Sequence, residues 1–212
     1  MSQRALETLP PERFQELLAD SSARFGYSKK VSWLALSRYL SELTRWRRSM
    51  NLTGDLSPES LAEHAMESVL GANLIVHGAR VVDVGSGAGF PGLPIGIVRS
   101  DVTMSLLEPR SKRAAFLRHV ARDLALSNVR VIENRAEEVG GQTFDVATVR
   151  AVGSPGSWLR DFDFLRPGGA LLAWTTAPEE LEKTLAPRFR LESCLAVPAS
   201  SQRVIALYRS RR

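Results

Sequence analysis

Val81-Val82-Asp83-Val84-Gly85-Ser86-Gly87-Ala88-Gly89-Phe90-Pro91-Gly92 is the stretch from which the fold can be read. A short run of β-branched residues holds one acid, and four glycines follow within eight positions. A helix-compatible segment, Leu93 to Val98, comes next. The pattern predicts strand, tight turn and helix, the entry to a nucleotide-binding α/β domain. Glycines there remove Cβ atoms, so backbone N–H groups at a helix N-terminus can approach a ligand closely.

Two ligand classes use such a loop. Gly87-Ala88-Gly89-Phe90-Pro91-Gly92 fits the dinucleotide pattern G-x-G-x-x-G letter for letter, which would suit an NAD-dependent oxidoreductase. Asp83 argues against it, because a carboxylate two residues before the first glycine would repel a pyrophosphate. S-adenosylmethionine carries a sulfonium and an ammonium instead, and a nearby carboxylate favours both. The order apolar-Asp-x-Gly-x-Gly-x-Gly resembles the first motif of class I methyltransferases.

Downstream, strands and helices alternate. Val102–Glu108 is a β-rich run ending in an acid, and Ser111 is placed to cap a helix carrying Phe116, Leu117, Val120 and Leu124 inward. Lys112, Arg113, Arg118 and Arg122 lie on its other face. Val129–Ile132 and Phe144–Val149 read as further strands. Leu165-Arg166-Pro167-Gly168-Gly169 reads as a turn before the strand Ala170–Trp174, and two β-like segments follow near Arg190–Val197 and Val204–Tyr208. Such alternation predicts a seven-stranded, mostly parallel sheet with helices on both faces. Glu108 stands about twenty residues past the loop, where an acid accepts hydrogen bonds from ribose hydroxyls of either ligand.

Upstream, residues 1–78 read as a helical extension and 79–212 as the α/β domain. Pro10-Pro11-Glu12 starts a helix with Phe14, Leu17 and Leu18 on one face, and Phe25-Gly26-Tyr27 breaks it. Trp33, Leu36, Leu40, Leu43 and Trp46 then recur at helical spacing, and Arg45, Arg47 and Arg48 sit at that helix's end. Asn51–Asp55 is turn chemistry. Ser57-Pro58-Glu59 starts a third helix with Leu61, Ala65, Val69 and Leu70 on its stripe; His64 beside that stripe reads as packed or solvated.

Composition bounds the function classes. At 212 residues, 44% apolar and 24% charged, the chain suits a soluble globular domain with a modest extension. It shows neither an apolar run long enough to span a membrane nor a signal-peptide core at its start, so a cytoplasmic location is expected. The single cysteine, Cys194, excludes an internal disulfide and a multi-cysteine metal site, and it reads as a buried small residue. No metal is expected. The net charge of +5, with only four lysines among 28 basic residues, is permissive of an RNA partner.

Taken together these motifs resemble the RsmG (GidB) family, bacterial methyltransferases of guanine N7 in 16S ribosomal RNA. The resemblance runs roughly from Trp46 through Arg150. It is carried by Asn51-Leu52-Thr53, by His64 with Glu67-Ser68, and by Val82–Pro94. Further marks are Leu106-Leu107-Glu108 with Lys112-Arg113, then Arg135-Ala136-Glu137-Glu138, and Thr148-Val149-Arg150-Ala151. It implies a class I (Rossmann-like) methyltransferase fold, S-adenosylmethionine as cofactor, and 16S ribosomal RNA or the small ribosomal subunit as partner, with a monomer favoured. Asp83, Gly85, Gly87, Gly89, Phe90, Glu108, Ala136, Glu137 and Arg150 are the expected cofactor contacts. Arg150 is also the candidate orienting residue, with no other catalytic assignment, and Arg47, Arg48, Lys112, Arg113 and Arg135 are the RNA-binding candidates. The chain departs from the family in three places. Glu67 stands where aspartate is usual, Arg47 where asparagine is frequent, and Trp174-Thr175-Thr176 where a lysine-glycine pair is common. That last departure keeps open an RNA-binding or ribosome-assembly protein that retains the cofactor fold.

Overall fold

The computed structural model describes residues 8–27, 33–47, 50, 52, 56–135, 138–139, 143–150, 163–198, 200 and 202–211. Three helices come first: α1 (Pro11–Arg24), α2 (Trp33–Trp46) and α3 (Pro58–Gly71). Proline occupies the first turn of α1 and α3, where its missing N–H costs nothing, and the Ser57 hydroxyl accepts from Ser60 N to cap α3. The α/β region then runs β1 (Arg80–Val84), α4 (Gly92–Val98), β2 (Thr103–Leu107), α5 (Ser111–Asp123), β3 (Val129–Ile132), β4 (Phe144–Arg150), β5 (Leu165–Thr175), α6 (Pro178–Leu185), β6 (Phe189–Ala196) and β7 (Val204–Ser210).

The seven strands form one sheet in the order β3-β2-β1-β4-β5-β7-β6. The first five are parallel, while β7 runs antiparallel to both β5 and β6. The strand order reverses at β1. Neighbours β2 and β4 lie on its two sides, and that is where open α/β sheets bind ligands, outside the carboxyl ends of the strands.

Alternation along the strands divides the apolar residues between two faces. Val81, Leu106, Val146, Leu172 and Ile205 share a core with Phe14, Leu18, Leu40, Leu61, Ile95 and Phe116, so α1 to α5 cover one face continuously. Val82, Val84, Leu107, Val149, Leu171 and Tyr208 gather on the other face with Phe164 and the α6 residue Leu185. Arg99, just past α4, ties the turn after α3 to the α/β region. Its guanidinium donates to Ala72 O at 2.6 Å and Ile75 O at 2.9 Å and pairs with Asp101 at 2.7 Å.

Three expectations need correction. Ser111 is the first residue of α5 rather than its cap: Arg110 holds that position with no side-chain bond, and its N–H is taken by Glu108 Oε1 at 2.9 Å. Residues 165–169 belong to β5 as an irregular start rather than a separate turn. Pairing with β4 jumps from Phe144↔Leu165 to Val146↔Ala170, so the proline and glycines loop out where the register slips. Cys194 is exposed on β6, on the sheet's edge, and is not the small buried residue expected.

Candidate active site

Asp83 sits near the carboxyl end of β1 and is 1% exposed. Its side chain does not reach into open space. Oδ1 accepts from Thr148 Oγ1 at 2.7 Å, and Oδ2 accepts from Gly92 N at 3.2 Å. Thr148 is the β4 residue in register with Asp83, so the acid ties β1 to its neighbour and to the first turn of α4. Burial lifts its carboxyl to about 6; the bonds from Thr148, Ser86 and Gly92 oppose that shift and nearby Glu108 adds to it.

The loop between β1 and α4 is held from both ends. Gly85 N and Ser86 N donate to Leu107 O at 2.9 and 3.0 Å, and Gly89 N donates to Ser86 O at 2.7 Å. Gly89 has φ +106, and a Cβ there would meet Leu93 Cδ1 at 2.5 Å. At Gly92 a Cβ would meet Leu106 and, at 2.6 Å, Asp83 Oδ2. A side chain at either position would unseat the loop or the acid beneath it.

Glu108, 3% exposed, follows β2 directly. Oε2 accepts from Gly87 N at 2.9 Å and Oε1 accepts from Arg110 N. Each oxygen therefore carries one bond, and a carboxylate offers about four acceptor positions. Acceptor capacity for two hydroxyls remains beside the glycine loop.

The helical extension braces this loop. Tyr39 of α2 is fully buried and donates its hydroxyl to Ala88 O at 2.9 Å, while its ring meets Phe90 edge-on at 5.5 Å. His64 of α3 also meets Phe90 edge-on, at 5.8 Å. Burial, with Arg150 and Arg203 nearby, drives the His64 imidazole down to about 3, so it is neutral at physiological pH.

Arg150 ends β4, one residue beyond the pairing of Val149 with Val84. Its Nη2 contacts Glu67 Oε2 at 2.6 Å, and Arg203 Nη1 reaches Glu67 Oε1 at 2.8 Å. Glu67, on α3, is 0% exposed. One buried carboxylate thus pairs with two guanidiniums; neither Glu67 Oε1, whose contact with Arg203 is an ion pair only, nor Arg150 Nη1 has a hydrogen-bond partner among the described residues. These residues line a cavity of about 300 Å³ together with Trp174, Thr175 and Thr176.

Of the expected cofactor contacts, Asp83, Gly85, Gly87, Gly89, Phe90, Glu108 and Arg150 gather around the carboxyl ends of β1, β2 and β4. Ala136 and Glu137, and the RNA candidate Arg48, lie outside the described residues. Lys112 and Arg135 are exposed, and Arg113 is half-buried near Gly87. Arg47 is turned inward: it is 8% exposed, and its Nη1 donates to Leu56 O at 2.6 Å, which joins the end of α2 to the segment before α3 and removes it from an RNA-facing surface. Sequence reasoning missed Tyr39, Thr148 and Arg203. Thr148 carries a readable signal, a hydroxyl inside an apolar strand that must find a partner.

A family model described as rRNA small subunit methyltransferase G (GidB) matches residues 33–197. The ribosomal RNA small subunit methyltransferase G of Xanthomonas campestris pv. campestris is 40% identical over 141 residues, 65% of this chain and 66% of that protein. Its namesake from Sodalis glossinidius is 32% identical over 88% of this chain and 91% of that protein. Among solved structures, an S-adenosylmethionine-dependent methyltransferase from Aquifex aeolicus superposes with a TM-score of 0.57 at 17% identity, over 71% of this chain and 92% of that one. MtNAS in complex with MTA and tNA gives 0.62 at 16% identity, over 92% and 76%. At those identities the likeness is one of fold, and the fold is the class I (Rossmann-like) methyltransferase fold.

Proposed function

Because the chain belongs to the rRNA small subunit methyltransferase G family, we propose that it transfers a methyl group from S-adenosylmethionine to guanine N7 of 16S ribosomal RNA. The observation that carries the cofactor half is the pairing of Gly87 N with Glu108 Oε2 at 2.9 Å. It places a buried acid with spare acceptor capacity beside a loop whose glycines admit close approach, as binding a ribose at the switch point of the sheet requires. In this reading Glu108 takes the ribose hydroxyls, Gly85, Gly87, Gly89 and Phe90 border the methionine and ribose portions, and Ala136 and Glu137 border adenine. Asp83 supplies negative charge under the loop for the cationic cofactor. Arg150 orients the cofactor carboxylate or an RNA phosphate.

The chemistry suits a site without a free general base. N7 of guanine bears an in-plane lone pair and no proton. Bound S-adenosylmethionine would supply the methyl group on a sulfonium able to leave as a neutral thioether, and the methylated base would carry the positive charge. No proton moves, so alignment is the main requirement. The neutral, packed His64 and the buried Asp83, whose two oxygens are each engaged within the fold, are consistent with that. Lys112, Arg113, Arg135 and Arg48 are the candidates for contacting RNA phosphates. The partner is 16S ribosomal RNA or the small subunit, the protein acts as a monomer, and its place is the cytoplasm. Among the described residues no helix is long and apolar enough to cross a membrane.

Calorimetric titration tests the cofactor half. S-adenosylmethionine should bind with one site per chain and NAD should give no heat. Binding of NAD in its place would overturn the reading.

A further inference from the structure

The cavity at the carboxyl ends of β4 and β5 has chemistry different from that of the glycine loop. Its walls are Glu67, Arg150, Trp174, Thr175, Thr176 and Arg203. Both oxygens of Glu67 lie against guanidiniums, so the cluster carries two positive charges against one negative. What it offers a ligand is hydrogen-bond donors and a net positive charge, suited to oxygen acceptors. A flat, acceptor-rich, uncharged or anionic group fits such a lining.

Trp174 supplies the flat surface, and three features hold it. Its indole Nε1 donates to Glu67 O at 3.3 Å. Its benzo edge lies over Gly71, the last residue of α3, where a Cβ would meet Trp174 Cζ2 at 2.5 Å and Cη2 at 2.9 Å. Its backbone is fixed between Arg150 and Ile205 in the sheet. Gly71 has no positive φ to explain it, so the reason for glycine there is room for this ring. An indole anchored along its edges and partly exposed at the cavity is a ready-made platform for a nucleobase, and stacking on such a platform tolerates any base face.

We propose that Trp174 is the stacking wall of the acceptor site. The unpaired guanine of the RNA substrate lies on its indole, and Arg203, with the spare Nη1 of Arg150, donates to the oxygen atoms of that nucleotide. The register places this pocket next to the methyl donor: Arg150 adjoins Val149, Val149 pairs with Val84, and Val84 leads into Gly85. In an A-form helix the N7 edge lies in the deep, narrow major groove, so an unstacked guanine presents it to the sulfonium more readily, and a rigid aromatic wall offsets part of the stacking that is lost. Glu67 is a positioning residue here, fixing both guanidiniums without touching the base.

This inference rests on the proposed methyl transfer, and the test separates the two. Steady-state methylation of small-subunit ribosomal RNA is compared for wild type, Trp174→Ala, Trp174→Phe and Gly71→Ala, alongside calorimetry with S-adenosylmethionine and fluorescence titration with guanosine 5′-monophosphate. Trp174→Ala should raise the KM for RNA on the order of 10-fold and weaken guanosine monophosphate binding similarly, with cofactor affinity unchanged. Trp174→Phe should recover most of both. Gly71→Ala, which displaces the ring and leaves its chemistry intact, should resemble Trp174→Ala. An unaltered KM in Trp174→Ala, or a parallel loss of cofactor affinity, would overturn the proposal. If wild type methylates no RNA, the methyl-transfer reading fails, and the pocket is then judged by whether guanosine monophosphate binding depends on Trp174.

Discussion

That an acid stands before the glycines is legible in the sequence; the geometry of Asp83 is not. The sequence places a carboxylate before the glycines; only the fold shows both oxygens engaged, by Thr148 and by Gly92 N. Because burial raises the Asp83 carboxyl from 3.8 to about 6, the folded protein binds this proton more tightly than the unfolded chain does. The group's contribution to stability therefore increases as pH falls through about 6 toward 3.8, and it decreases again as pH rises. Asp83→Asn can keep both hydrogen bonds by turning its amide oxygen to Gly92 N. It should flatten this part of the curve of urea midpoint against pH, while weakening S-adenosylmethionine at neutral pH; an unchanged pH slope would refute the assignment. Glu67 shows the opposite limit of legibility. Nothing local to it in the sequence indicates that Arg150 and Arg203, far along the chain, converge on it. Removing it strands the buried Arg150 charge, so Glu67→Ala should cost about 3–5 kcal/mol in chemical denaturation. A loss below about 1 kcal/mol would mean that water already serves that arginine.

The elements were mostly readable because their periodicities are clean. β1, β3 and α3 lie where alternation and helical spacing put them. The exceptions have physical causes. At the start of β5, Pro167 and Gly168 carry turn signals, yet β4 continues alongside and the strand absorbs them as an irregularity. Exposed Cys194 followed the edge position of β6, a fact of sheet order that no local pattern contains. Helix α2 illustrates how an element acquires a function. Its apolar stripe predicts burial, but the Tyr39 hydroxyl also reaches Ala88 O and so braces the glycine loop. Tyr39→Phe should lower stability by about 1 kcal/mol and weaken S-adenosylmethionine several-fold, checked by thermal melting and calorimetry on the same samples. Lowered stability with intact cofactor affinity would reduce α2 to a packing role.

At the scale of the whole molecule, residues 1–78 and 79–212 divide cleanly in sequence pattern, but one continuous core joins Phe14, Leu40 and Leu61 to Val81, Leu106 and Leu172. We propose that the extension is a domain in periodicity only. A fragment comprising residues 79–212 would expose that sheet face and should be insoluble or lack a cooperative melt; a soluble, cooperatively melting fragment would show an independent α/β domain. The same continuity explains why the helices reach the carboxyl ends of the strands, since α2 and α3 supply Tyr39 and His64 against the glycine loop and Glu67 against Arg150. The central claim is methyl transfer to guanine N7. It is tested most directly by incubating the protein with S-adenosylmethionine labelled in its methyl group and with 16S ribosomal RNA, free or in small subunits, then digesting the RNA to nucleosides. The account predicts label in N7-methylguanosine alone. Label on a ribose, an exocyclic amine or a pyrimidine, or no incorporation into either substrate, would contradict it.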